Sequence, residues 1–136
     1  MNMEMKKMRV LLAEDDEVNS ITVRKLLEHN GHVVDAVPDG AEALERLLRE
    51  RYDVVLMDIR MPRMDGIEAT RHIRYDEKYA AHSKVPVVAL TAHAMVGDRE
   101  KFLAEGMSGY LSKPVELEEL LEVMRRVVEA ADQDEA

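Results

Sequence analysis

Carboxylate, hydroxyl and amine side chains follow successive apolar runs of this chain, an order suited to holding a metal ion against a phosphoryl group. Glu14, Asp15 and Asp16 follow Val10-Leu11-Leu12-Ala13, and Asp58 follows Val54-Val55-Leu56-Met57. Thr91 follows Val87-Val88-Ala89-Leu90, and Lys113-Pro114 follows Tyr110-Leu111-Ser112. Carboxylates gathered in one cleft raise each other's pKa unless a cation neutralises them. Oxygen ligands with no histidine or cysteine beside them select a hard divalent ion, Mg2+ first. The lysine adds a fixed positive charge and the threonine a hydroxyl donor, both complementary to phosphate oxygens.

Each residue also has a plainer reading. Asp16, just before Glu17-Val18, reads as the N-cap of a helix. Asp58 alone could cap a turn, Thr91 alone is a β-former, and Lys113 alone is a surface lysine. These readings leave unexplained why all of them arise at the ends of the first, third, fourth and fifth apolar runs.

The runs of strand length are Arg9–Ala13, His32–Val37, Asp53–Met57, Pro86–Leu90 and Tyr110–Ser112. Between them the apolar residues take helical spacing: Val18, Ile21 and Leu26; Ala41, Leu44, Leu47 and Leu48; and Leu117, Leu120, Leu121, Met124, Val127 and Val128. Gly31 suits the position after a helix, and Asp39-Gly40 a turn into the next one. The order is therefore alternating β and α, ending on a helix. Val54–Met57 and Val87–Leu90 are apolar on both faces, which predicts central parallel strands covered by helices on either side. With right-handed crossovers this is an α/β fold, a three-layer α/β/α sandwich on a five-stranded parallel sheet. In such a sheet the strand C-termini share one edge, so the polar groups converge.

At 136 residues the chain suits one domain, placed at residues 8–130 with residues 1–7 and 131–136 as flexible termini. A hydrophobic fraction of 46% with 35% charged residues is a globular balance. The net charge of −9 argues against general nucleic-acid or anionic-lipid binding. No apolar stretch approaches the roughly 18–20 residues that span a bilayer, and the first eight residues lack a signal-peptide core. With no cysteine there is no disulfide framework, which fits a cytoplasmic location. His29 and His32 bracket the turn at Gly31, His72 reads as solvated, and His82 falls in a polar connection spanning residues 75–84; none has metal-binding spacing.

Four stretches resemble the receiver domains of two-component response regulators, most closely those of hybrid histidine kinases and phosphorelays. They are Val10 to Asn19, Leu56 to Gly66 (LMDIRMPRMDG), Val88 to Met95 (VALTAHAM) and Gly106 to Pro114 (GMSGYLSKP). The resemblance covers about Met8 to Val128 and implies the flavodoxin-like strand order 2-1-3-4-5. It further implies that Asp58 is the phosphoacceptor, attacking a phosphohistidine on a histidine kinase or histidine phosphotransfer protein. Asp15, Asp58 and the backbone carbonyl of Arg60 would ligate Mg2+, with Glu14 acting mostly through a metal-bound water. Lys113 would pair with the phosphoryl oxygens, Thr91 would move to one of them, and Tyr110 would follow inward. The Lys113-Pro114 bond would be cis, a form far less costly before proline than elsewhere. Two features depart from the common pattern. Glu14 replaces the usual first aspartate, and Arg60 and His93 stand two residues beyond Asp58 and Thr91, flanking the path of a hydrolytic water.

The expected function is a phosphoacceptor signalling module, not an enzyme beyond its own phosphoryl transfer and dephosphorylation, and with phosphorylation-dependent dimerisation open. No output domain is legible after residue 130, so the chain reads as a stand-alone regulator or a piece of a hybrid kinase. The runner-up is a degenerate receiver used as a phosphorylation-independent scaffold. A Mg2+ phosphatase with an aspartate nucleophile would need a second aspartate at position 60, where the chain has Arg60. Dinucleotide binding would need a glycine-rich turn where the chain has Glu14-Asp15-Asp16.

Overall fold

Four largely β-branched or leucine-rich pentads and the shorter Gly109–Ser112 form the strands, and the polar residues after them let the chain leave the sheet. The computed structural model describes residues 6–92 and 95–135. The strands are β1 (Arg9–Ala13), β2 (Val33–Val37), β3 (Val54–Asp58), β4 (Val87–Thr91) and β5 (Gly109–Ser112). The helices are α1 (Glu17–His29), α2 (Gly40–Arg49), α3 (Gly66–Tyr75), α4 (Asp98–Ala104) and α5 (Leu117–Glu135). All pairings are parallel, as expected from the apolar runs, and the strand order is β2-β1-β3-β4-β5, the one the family resemblance implies.

Alternation along the strands divides the core into two layers. Leu11, Ala13, Val55, Met57, Val87 and Ala89 pack against Leu44 and Leu47 of α2, Ile73 of α3 and Phe102 of α4. Val10, Leu12, Val54, Leu56, Val88 and Leu90 pack on the opposite face against Val23 and Leu27 of α1 and Leu120, Met124 and Val127 of α5. Burying each of these larger side chains stabilises the fold by about 1.5–3 kcal/mol. This two-sided burial explains why β3 and β4 read as continuous apolar runs.

Several helical details differ from the sequence reading. In α1 the buried positions are Val23 and Leu27, whereas Val18 is 72% exposed and Ile21 37%. Helical spacing finds a helix but leaves open which of several stripes faces the sheet. For the same reason Ala43 rather than Ala41 is buried in α2, and Leu48 faces outward. The polar connection around His82 holds a short 3-10 helix, Glu77–His82, with Tyr79 buried at its centre. Helix α5 continues through Glu135, past the domain boundary expected at residue 130, and Ala131 is still half-buried.

Helix entry uses side-chain caps at three successive crossovers. Asp16 Oδ1 accepts from Asn19 N–H at 3.0 Å, Asp39 Oδ1 from Glu42 N–H at 2.9 Å, and Asp65 Oδ1 from Glu68 N–H at 2.8 Å. Each cap satisfies a donor that the first helical turn leaves without an intrahelical partner.

His32, given no role from sequence, is buried and its Nδ1 accepts the Met8 backbone N–H at 3.1 Å. This bond joins the entry of β2 to the start of β1. Burial lowers its pKa, so the folded chain keeps the imidazole neutral. The unfolded state takes up the proton first, and stability is therefore lost as pH falls through the ordinary histidine value of about 6.5. Denaturation from about pH 7.5 to 5.5 should cost the wild type more stability than His32→Asn, whose side-chain oxygen can still accept from Met8. Equal losses would remove His32 as an acid-sensitive contact.

Gly66 ties the fold to the acidic edge. Its N–H donates to the Ile59 carbonyl at 3.1 Å, and a Cβ there would stand 2.3 Å from the Asp58 carbonyl oxygen. Gly66→Ala should push α3 off the end of β3 and destabilise the chain by about 1–3 kcal/mol in urea denaturation. An unchanged midpoint would show that this close approach relaxes freely.

Candidate functional site

Strand register assembles the acidic edge. Ala13 pairs with Met57, so Glu14, one residue on, stands level with Asp58, the last residue of β3. Asp58 pairs with Leu90, and Thr91 pairs with Ser112, which brings Thr91 and Lys113 onto the same edge. The sequence reading placed Asp58 and Thr91 just beyond their strands; each is instead the terminal strand residue and is buried. The Lys113–Pro114 peptide bond is cis.

One ammonium sits between two buried carboxylates. Lys113 Nζ donates to Asp58 Oδ2 at 2.7 Å and lies 2.6 Å from Glu14 Oε1. The second contact is an ion pair whose direction falls outside hydrogen-bond geometry, leaving Glu14 Oε1 without a hydrogen-bond donor. Glu14 Oε2 accepts from the Asp16 N–H at 3.1 Å, and Asp58 Oδ1 from the Arg60 N–H at 3.0 Å. Asp15 is exposed beside them, and oxygens of Glu14, Asp15 and Asp58 lie within 4.8 Å of one another.

The charges do not balance. Three carboxylates face one ammonium, so the cluster carries an excess of negative charge in a partly desolvated place. Burial, and then the neighbouring Asp58 carboxyl, push the Glu14 pKa up to about 7 despite the contact with Lys113. Burial also opposes the charge of Lys113, but its contacts with the Asp58 and Glu14 carboxylates outweigh that and raise its pKa. Because Glu14's folded value lies above its unfolded one, its contribution favours folding as pH falls from about 7 toward 4.5. This is opposite in sign to the His32 effect. A divalent cation would meet the same excess without protonation. The oxygen donors present fit Mg2+ in type and charge.

The cleft has a volume of about 440 Å³, and Asn19, Ile59, Arg60, Ile67, Met95 and Lys101 contribute to its walls. The β3–α3 loop forming one wall is held from below. Arg63, at φ +65°, donates through Nε to Asp39 Oδ2 at 2.9 Å and through Nη2 to Asp39 and Glu42. Gly40 N–H donates to the Met64 carbonyl at 3.1 Å, and a Cβ on Gly40 would meet that oxygen at 2.7 Å. On the far side, the half-buried Tyr110 ring packs 5.9 Å from Phe102.

All the acidic and basic positions expected from sequence therefore meet at one edge: Glu14, Asp15, Asp58, Thr91 and Lys113, with Arg60 at the rim and Asp16 serving as the α1 cap. Tyr110 lies beyond the cleft on β5. His93 lies outside the described residues. His72 keeps 39% of its side-chain surface exposed, with Nδ1 3.2 Å from Asp76 Oδ2 and its ring edge-on to Tyr79. Sequence reasoning missed Lys101, Asn19 and the Asp39–Arg63 brace. The family stretch containing Arg63 marked the loop, but nothing local to Asp39 revealed its distant partner.

The family model for the response regulator receiver domain matches residues 10–125. The sensor protein GacS of Pseudomonas syringae pv. syringae is 43% identical over 116 residues, covering 85% of this chain and 13% of GacS. The response regulator MprA of Mycobacterium leprae is 37% identical, covering 95% of this chain and 54% of MprA. The chain thus spans between about an eighth and about half of these relatives. Among solved structures, the receiver domain of sensor histidine kinase PA1611 from Pseudomonas aeruginosa superposes with a TM-score of 0.80 at 41% identity. It covers 91% of this chain and 99% of that one, and it carries a magnesium ion in its active-site cleft. The chemotaxis protein CheY4 of Vibrio cholerae gives 0.79 at 30% identity, covering 90% and 99%. In motif, strand order and convergent acidic edge, this chain belongs to the response regulator receiver domains of two-component signalling.

Proposed function

We propose that the chain accepts a phosphoryl group on Asp58 from a phosphohistidine of a histidine kinase or histidine phosphotransfer protein. The observation carrying this reading is the charge imbalance at the acidic edge, where one ammonium faces three carboxylates. Such a cluster is incomplete without a divalent cation and, once neutralised, suits a dianionic phosphoryl group. The magnesium in the PA1611 cleft supports the same choice of ion.

In this reading Glu14, Asp15, Asp58 and the Arg60 backbone carbonyl hold Mg2+, Glu14 mostly through water. Bound there, the ion would neutralise the acids and offset charge on phosphoryl oxygens. An Asp58 carboxylate oxygen attacks phosphorus, the phosphorus–nitrogen bond breaks, and the imidazole nitrogen leaves with the bonding pair. Lys113 exchanges part of its contact with Asp58 for a phosphoryl oxygen, and Thr91 supplies a hydroxyl to another. Tyr110 then moves inward with Thr91, altering the surface of α4, β5 and α5. The signal is a population shift whose size is set by how differently the phosphoryl group contacts the two conformations. Arg60 flanks the approach of a hydrolytic water and sets the lifetime of the aspartyl phosphate.

No helix among the described residues is long and apolar enough to cross a membrane. We assign the domain to the cytoplasm, where histidine kinases present their phosphoryl groups. The downstream contact is with protein, with phosphorylation-dependent dimerisation as one form of it.

Incubation with Mg2+ and acetyl phosphate should add one phosphoryl group by intact mass, while Asp58→Asn or excess EDTA should abolish it. An unmodified wild type with several donors, or full transfer in EDTA, would contradict the assignment. Lys113→Ala should retain Mg2+ binding, because the oxygen ligands remain and the bound ion offsets their charge, yet transfer about a hundredfold more slowly. A wild-type rate in that variant would remove Lys113 from the reaction.

A further inference from the structure

A larger cleft, of about 810 Å³, lies at the N-terminal end of β4 and β5, at the opposite edge of the sheet from Asp58. Arg74, Lys84 and Arg126 line it with Ser83, Ser108 and the apolar Val127, Ala130 and Ala131 of α5. No carboxylate is in the lining, although acids outnumber bases in the chain by 28 to 19. None of the three cations makes an ion pair among the described residues.

Arg74 is the least ordinary of them. Its guanidinium donates to the carbonyls of Gly106 at 2.8 Å, Ser83 at 2.9 Å and Val85 at 2.6 Å. Carbonyls hold it in place but do not neutralise it, and burial lowers its pKa. The remaining nitrogen, Nη2, reaches only Ser108 Oγ, at 3.5 Å, beyond the usual length of an N–H to oxygen bond. Ser108 Oγ already accepts the Val87 N–H at 3.2 Å, so its own hydroxyl proton has no acceptor among the described residues. A fixed guanidinium edge, a spare hydroxyl donor and two further cations outside any close ion pair thus surround one cleft. Three cations and a hydroxyl donor with no carboxylate in the lining suit a multiply charged anion with several oxygens, such as a phosphate, better than a singly charged carboxylate.

We infer that this cleft is a second binding site, for a small phosphate-bearing anion held by Arg74, Lys84, Arg126 and Ser108. The apolar strip of α5 would lie beneath the rest of the ligand, within the size range of small-molecule sites. The inference is independent of phosphorylation at Asp58.

Pyrophosphate titrated into the metal-free chain in EDTA is the test, since the acidic edge without metal repels it. Saturable NMR shifts should appear at Arg74 Nε–H and the Ser108 and Ala131 amides, with Asp15 and Asp58 unmoved. The double variant Lys84→Ala, Arg126→Ala removes no hydrogen bond of the fold, so it should melt like the wild type while binding at least about tenfold more weakly. Added salt should weaken binding to the wild type. Absence of saturation at millimolar pyrophosphate, unchanged affinity in the double variant, or shifts centred on Asp15 and Asp58 would each overturn the inference.

Discussion

The Lys113 ammonium between Glu14 and Asp58 is the contact on which the acidic edge depends. It joins the end of β5 to the ends of β1 and β3 across the intervening β4. Without it, adjacent strands would each end in a buried, unpaired carboxylate, a costly arrangement in a partly desolvated place. With it, the negative charge is reduced but not cancelled. The same interaction therefore holds the site together and leaves it with a net negative charge.

The rest of the fold keeps this imbalance in place. Central strands buried on both faces set the register, and the register aligns Glu14, Asp58, Thr91 and Lys113. Gly66 lets α3 approach the Asp58 carbonyl closely, while Arg63 and Asp39 brace the loop between them. These supports lie outside the acid cluster, yet each one limits how far the Asp58 backbone can move. The opposite edge has the reverse character, with half-buried Arg74 satisfied by carbonyls and no carboxylate in the lining of its cleft. An acidic chain thus carries unneutralised charge of opposite sign at the two ends of its sheet.

Much of the fold was legible because it rests on local patterns. The doubly apolar runs at Val54–Met57 and Val87–Leu90 require burial on both faces, and that requires crossover helices. Which stripe of a helix is buried was less legible. Val18 and Ile21 have the spacing of core residues, but α1 docks on the sheet through Val23 and Leu27 instead. The extent of α5 was missed because a polar C-terminal sequence can continue a helix whose preceding turns are already docked.

From the sequence alone came the element order, the parallel sheet and the identity of the residues at its C-terminal edge, since these follow from periodicity and from which residue ends each apolar run. Only the tertiary structure decided how those residues share charge: that Lys113 bridges Glu14 and Asp58, that Glu14 is pushed toward protonation, and that Arg63 reaches back to Asp39. It also decided the fate of His32 and Arg74, which look like ordinary surface residues in sequence. Burial and partner choice are set by segments distant in the chain, and no local pattern encodes the distance between them.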